Sequence, residues 1–350
     1  MIEFKRIPKE GINRNPHTKN THDIHLSDEH KDAISAQSPH SIDQNILETE
    51  SSSSQRFIQA KNLYQKCLTL AEKLIASKTD LTYINVDEVF DIVRLLIDSL
   101  DSQELVSLVF HRDSYGVHYL SCNAVNVCVL SLEAGSRLGF DKERLKKIGI
   151  ASFLHDVGMR AYLDIANQPK RLSISDYQKI KQHPNEAAIL LKKMTSDLDS
   201  YIIETIQQEH ERIDGSGYPD GLKVADINEF AQIIGFIDVY EALTHTRPYR
   251  PAFSCLDALG IIMKNKKMFN HKIIKAFLEK VGLYPKGTVV ELNTKEKAYV
   301  LKHNPISPSC PTVRVVFDSQ GRKLEQMKEI DLSRNQAVFI VKDAQSLGGA

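Results

Sequence analysis

From Phe57 onward, apolar positions recur at the spacing of an α-helix. Val86, Val89, Phe90, Val93, Leu96, Ile97 and Leu100 share one face, and Asn85 in front of them has a side chain suited to an N-cap. A second helix is predicted over 119–138. It stops near Gly139, where a residue without Cβ takes the left-handed turn that ends helices. Asp141 is placed to cap a third, in which Leu145, Ile148, Phe153 and Leu154 are apolar. Further helices are expected over 173–194, 198–212, 228–245, 254–265 and 269–281. Strand-like alternation is nearly absent up to this point, so the pattern describes an all-α unit of roughly 220 residues.

After Gly282 the period shifts toward two. Apolar runs at 289–292, 298–301, 313–317 and 337–341 are separated by the turn-forming segments LNTKEK, HNPISPSCP and DSQGRK. This predicts a small β-rich, barrel-like appendage, leaning on the helices because a core of ~65 residues is marginal alone. Residues 1–55 are polar, end in the run Ser51 to Ser54, and have too little apolar surface to offset backbone ordering. The expected organisation is a disordered leader (1–55), an N-terminal helical segment (56–113), a main helical domain (114–282) and a β extension (283–350). His17, His22, His25, His30 and His40 lie in the leader at irregular spacing, as expected of a solvated segment.

Composition narrows the function. The chain has 350 residues with 45 Lys+Arg against 45 Asp+Glu, so it lacks the basic stripe that duplex nucleic acid requires. The five cysteines (Cys67, Cys122, Cys128, Cys255, Cys310) form no C-x-x-C pair, and neither a disulfide framework nor a zinc knuckle is indicated. No apolar run approaches the ~18 residues of a membrane span, and the first residues have no signal-peptide core. A cytoplasmic protein is the expectation.

Four segments concentrate histidine and carboxylate at helix ends: His155-Asp156, His183-Pro184, Glu209-His210-Glu211 and Asp238. His155 follows the apolar face of its helix. His210 lies seven and four residues after Ile203 and Ile206, and Asp238 four after Ile234, so all three should point inward. A buried aspartate is costly unless it is paired or bound to metal. Imidazole and carboxylate without thiolate suit Fe, Mn, Co or Zn. Two such cations sharing a carboxylate form a device for phosphoester hydrolysis, and Asp156, beside His155, is the natural bridge. Directly after the third cluster comes Asp214-Gly215-Ser216-Gly217-Tyr218-Pro219. Its two glycines let backbone amides approach an anion, and Tyr218 offers a stacking face or a hydroxyl donor.

In order and spacing, His155-Asp156-Val157-Gly158, His183-Pro184, His210-Glu211-Arg212 with the Asp214–Pro219 loop, and Asp238-Val239-Tyr240-Glu241-Ala242-Leu243-Thr244 through Arg247-Pro248-Tyr249-Arg250 resemble the HD-GYP family. The resemblance spans about residues 57–282, and the segment from Tyr284 to Leu292 looks like the β extension often found after such domains. It implies a mainly α, HD-type multi-helix bundle and a metal-dependent phosphodiesterase that hydrolyses cyclic di-GMP. It also implies ligand roles for His155, Asp156, His183, His210 and Asp238, with His155 and Asp156 at the catalytic centre and two divalent ions, Fe or Mn. Gly215, Ser216, Gly217 and Tyr218 would shape the substrate pocket, with Arg247 and Arg250 as candidates for substrate phosphate; for Arg247 the favoured role is to brace its loop by pairing with a carboxylate.

Three positions depart from the family pattern. Asn123 stands where the family has a metal-binding histidine and Glu209 where it has the first of two adjacent histidines. Met159 stands where HD-x-G-Lys supplies a cation. Glu209 is a competent oxygen ligand and Asn123 a weak neutral one. Losing a charge-assisted phosphate contact at Met159 is worth ~1.5–3 kcal/mol, and Arg160 lies about 100° further round a helix. His118, five positions before Asn123, is off-face as a substitute ligand, and His245 and His271 read as surface residues. The sequence therefore predicts a cyclic di-GMP phosphodiesterase making pGpG or GMP. The alternative is a weakened relative that binds nucleotide or partner signalling proteins.

Overall fold

The computed structural model describes residues 51–76, 85–100, 103–110, 118–195 and 198–343. The leader expected over 1–55 lies almost wholly outside these residues, as do its five histidines. Ser51 to Ser54 are helical, forming the start of α1 (Ser51–Ala71), which runs on through a π-helical turn at Glu72–Ala76.

The helical order continues with α2 (Val86–Asp98), α3 (Glu104–Phe110), α4 (Tyr119–Arg137) and α5 (Lys142–Leu154). Asn85 caps α2 by accepting from Asp87 N, and Asp141 caps α5 by accepting from Arg144 N, as their positions predicted. Helix α4 is apolar or small on nearly every face and is buried along most of its length. It is the axis of the bundle, packed against α1, α5 and two later helices. A 3-10 segment at His155–Tyr162 follows α5 without a break and leads into the single turn α6 (Leu163–Ala166).

The helix predicted over 173–194 is two helices, α7 (Ile174–Ile180) and α8 (His183–Met194). Pro184 lacks an N–H and is tolerated only in a first turn, so the chain restarts there and His183 becomes the first residue of α8. The helix expected over 198–212 ends early, as α9 (Ser200–Gln208), leaving Glu209 and His210 at its C-terminal edge. Next come α10 (Glu229–Thr244), α11 (Cys255–Lys264) and α12 (His271–Val281). Helices α10 and α12 are the two later helices packed on α4.

The C-terminal unit is a five-stranded antiparallel sheet. Its strands are β1 (Val289–Leu292), β2 (Lys297–Lys302), β3 (Thr312–Phe317), β4 (Lys323–Asp331) and β5 (Ile340–Asp343), in the order β4-β3-β2-β1-β5. The sheet is open: β4 and β5 lie at opposite edges instead of closing a barrel. Strand β4 has no counterpart in the predicted elements, because KLEQMKEID is charged on both faces and carries no period-two signal. The unit has a small core of its own around Val290, Leu292, Val300, Val313 and Val315. It leans on the helices through Lys286 Nζ to Glu104 Oε1 at 2.7 Å and through Asp343, whose carboxylate accepts from Cys255 N at 2.5 Å.

Candidate metal centre

Seven side chains from five segments meet at the core of the bundle. Asn123 comes from α4, His155 and Asp156 from the turn after α5, His183 from the start of α8, Glu209 and His210 from the end of α9, and Asp238 from α10. All are buried. Local structure places them. The tight turn after α5 requires Gly158, where a Cβ would stand 2.0 Å from the His183 carbonyl oxygen, so the two segments meet at van der Waals distance.

Two imidazoles are oriented by the backbone. His155 Nδ1 lies 2.7 Å from the Ser152 carbonyl oxygen and His183 Nδ1 2.8 Å from that of Ile180. Each Nδ1 therefore carries the proton and each Nε2 turns its lone pair inward, the arrangement in which histidine binds metal.

The carboxylates divide the cluster into two lobes. Asp156 directs Oδ1 to 3.4 Å from His183 Nε2 and Oδ2 to 3.5 Å from His155 Nε2. Glu209 does the same, with Oε1 3.4 Å from His183 Nε2 and 3.7 Å from His210 Nε2, and Oε2 4.0 Å from His155 Nε2. Asp238 Oδ1 completes the second lobe at 4.0 Å from His155 Nε2. In the first lobe, His183 Nε2 and His210 Nε2 approach to 3.1 Å. The ligand atoms of His183, Glu209 and His210 lie within 4.8 Å of one another.

So many inward lone pairs repel unless a positive charge sits among them. Burial, the largest influence on His155, lowers its pKa, yet Glu209, Asp156 and Asp238 together raise it to about 9. Burial raises the Glu209 carboxyl and pushes His210 well below the ordinary imidazole value. Both Glu209 oxygens, His155 Nε2 and His210 Nδ1 are buried without a hydrogen-bond partner, a heavy cost in a low dielectric. The donor set, three imidazoles and three carboxylates without thiolate, fits a divalent metal ion.

Matches to known families cover both units. Residues 107–273 match the HD domain, and residues 289–346 match the KOW domain associated with HD domain. The helical unit is thus similar to the HD domain over these residues. The HD domain has well-matched relatives. One is "Cyclic di-GMP phosphodiesterase PA4108" of Pseudomonas aeruginosa, 30% identical over 231 residues, covering 66% of this chain and 55% of the relative. Another is "3'3'-cGAMP-specific phosphodiesterase 1" of Vibrio cholerae, 28% identical over 180 residues, covering 51% and 38%. The chain thus spans about half or less of the length of these curated relatives. Among solved structures, the HDG"Y"P protein Bd1817 of Bdellovibrio bacteriovorus superposes with a TM-score of 0.52 at 18% identity, covering 68% of this chain and 76% of that one. This likeness carries the fold.

The remaining predicted residues of the HD domain fall in varied places. The Asp214–Pro219 loop folds back on the cluster: Tyr218 N donates to the His210 carbonyl at 3.2 Å, and the Tyr218 ring stacks on His210 with centroids 4.7 Å apart. Gly217 makes this approach possible, since a Cβ there would stand 2.4 Å from Arg212 N. Glu211 holds the far side of the loop, accepting from Asp220 N, Gly221 N and Leu222 N at 2.7, 3.1 and 2.9 Å. Gly215 and Ser216 sit away from the cluster. Ser216 is exposed, its hydroxyl donating to Asp214 at 2.6 Å.

Arg247 is buried and pairs with Glu241 at 2.6 Å, the bracing arrangement. Arg250 donates to the carbonyls of Ala242, Leu243 and Pro251. Met159 is packed in the apolar core, and Arg160 Nη1 reaches outward to the Leu74 carbonyl at 2.9 Å. His118 caps α4 and bonds to Asn167, away from the cluster. His245, read as a surface residue, is half-buried, with Nε2 2.8 Å from the Val109 carbonyl oxygen. His271 is exposed.

A buried carboxylate beside the cluster escaped the sequence reading: Glu241, which receives Asn123, Asn126 and Arg247. Its signal was its place three residues after Asp238, on the same face of α10.

Proposed function

We propose that this chain is a metal-dependent cyclic dinucleotide phosphodiesterase that hydrolyses cyclic di-GMP to pGpG or GMP. What supports the reading is the two-lobed array of buried electron-pair donors, with Asp156 and Glu209 each presenting one oxygen to each lobe and both Glu209 oxygens and His155 Nε2 without a hydrogen-bond partner. His183 and His210 would hold one ion, His155 and Asp238 the other, and Asp156 and Glu209 would be shared between them. A pair of divalent ions supplies, when bound, a water acidified toward neutral pH and positive charge for the phosphoryl oxygens.

The protein's own part is positioning. The backbone carbonyls of Ser152 and Ile180 fix the two imidazole tautomers, Tyr218 shields the His210 face from water, and Glu211 anchors the loop that carries Tyr218. The names of the relatives, phosphodiesterases of cyclic di-GMP and of 3'3'-cGAMP, support the substrate class. Protein loaded with Mn or Fe is expected to linearise cyclic di-GMP, and His155→Ala to abolish turnover; no turnover with any metal rejects the reading.

A second reading is favoured by one observation. Met159 brings no cation to the cluster, and Arg247 is occupied by Glu241, so cationic contacts for a substrate phosphate are fewer than the family pattern implies. On this reading the chain binds a cyclic dinucleotide or a partner signalling protein without turnover. Elemental analysis separates the two: about two metals per chain favours the enzyme, none or one the binding module.

A further inference from the structure

Behind the second lobe lies a chain of buried polar side chains that runs from Asp238 through Asn123, Glu241 and Asn126 to Tyr64. Asn123 and Glu241 are each only 1% exposed. The amide nitrogen of Asn123 has two hydrogens. One goes to Glu241 Oε2 at 2.5 Å and the other to Asp238 Oδ1 at 3.2 Å. Asn123 thus spans two carboxylates, and its orientation is set by both.

Glu241 is held more firmly than Asp238. Its Oε2 also accepts from Arg247 Nη2 at 2.6 Å, and its Oε1 accepts from Asn126 Nδ2 at 2.9 Å. Asn126 is fixed in turn by the Tyr64 hydroxyl, which donates to Asn126 Oδ1 at 2.6 Å from helix α1. Asp238 Oδ1, by contrast, has Asn123 as its hydrogen-bond donor and stands 4.0 Å from His155 Nε2. Arg247 supplies the charge that lets a second buried carboxylate sit beside Asp238.

We propose that Glu241 is a positioning residue for the metal centre: by holding one amide hydrogen of Asn123, it keeps the other on Asp238 and so fixes the Asp238 carboxylate in the His155 lobe. This reassigns Arg247 from substrate phosphate to the counter-ion of Glu241, and Asn123 from a plain ligand to the link between two carboxylates. The inference rests on reading the cluster as a metal centre. Partners of metal ligands typically change affinity or activity 10–100-fold when removed, and the effect belongs to the ion held by Asp238.

The test is titration of full-length protein with Mn2+, followed by electron paramagnetic resonance, which distinguishes coupled pairs from single ions. Wild type is expected to bind two ions. Glu241→Gln is expected to weaken the second ion by 10–100-fold, keep the first, and replace the coupled signal by a mononuclear one. Asn126→Ala leaves the Arg247 pair and all cluster residues in place, so it keeps the test open should Glu241→Gln fail to fold; a several-fold loss confined to the second ion is expected. Asn123→Ala combined with Glu241→Gln should lose no more than the worse single variant, because both act through one link. Two ions bound with wild-type affinity in both Glu241→Gln and Asn126→Ala overturn the proposal alone. A wild-type chain that binds no metal overturns the metal centre and the proposal together.

Discussion

Gly158 and His183 are in backbone contact: any Cβ at residue 158 would intrude on the His183 carbonyl oxygen and the Ala187 amide nitrogen, 2.0 and 2.7 Å away. The turn that carries His155 and Asp156 and the helix that begins at His183 are therefore pressed together through a position that tolerates no side chain.

Gly158→Ala is accordingly expected to push these two segments apart. Overpacking of this kind costs ~1–3 kcal/mol, read as a lower melting temperature. Because the displaced groups are His155, Asp156 and His183, bound metal per chain should fall as well. A variant with wild-type stability and metal content would contradict the contact.

Glu211→Gln should loosen the loop over the cluster without touching the cluster. Its carboxylate accepts from three consecutive amides. An amide in its place turns an N–H toward donors, at a cost of ~1.5–3 kcal/mol. Hydrogen exchange at residues 214–222 should accelerate while residues 123–155 keep their protection.

Three thiols are expected to be inert. Burial raises Cys122 and Cys128 to about 12 and raises Cys67 well above its ordinary value. At pH 8 a thiol with a pKa near 12 has less than about a thousandth of the thiolate of a free cysteine, so alkylation of native protein should spare these three. The folded state keeps protons that the unfolded chain releases above pH ~8.5. This stabilisation is complete below that pH and, for Cys122 and Cys128, is lost as pH rises toward 12, at about 1.4 kcal/mol per unit for each of these two. Denaturant midpoints at pH 8, 9 and 10 measure it.

Lys286→Ala should weaken the seating of the sheet on the helices. The Lys286 ammonium lies 2.7 Å from a buried Glu104 oxygen, and its loss is expected to cost ~1.5–3 kcal/mol. Differential scanning calorimetry should show the two units unfolding at more widely separated temperatures.

Much of this arrangement was legible in the residues. Asn85 and Asp141 announced their helices because capping is a local effect, and His155, His210 and Asp238 announced their direction because each continues an apolar helical face. The split at Lys181 and Gln182 was hidden, since the apolar period runs on through Pro184 and a helical restart preserves it. Strand β4 was hidden for the opposite reason: a strand at a sheet edge needs only main-chain partners, and those leave no mark on side-chain pattern. The pairing of Glu241 with Arg247 could not be read either. Whether an arginine six residues further on turns to substrate or to a neighbouring carboxylate depends on the reversal of the chain after Thr244, which brings Arg247 and Arg250 into backbone contact.

Edge strand β4 has a consequence for self-association. An unguarded strand rim is a template on which another polypeptide can add, and a nine-residue one is long enough to nucleate stacking. Here the rim bristles with Lys323, Glu325, Lys328 and Glu329. A second molecule drawing alongside would have to strip water from this alternation of signs, so the same charges that concealed the strand from its pattern keep neighbouring copies from knitting onto it.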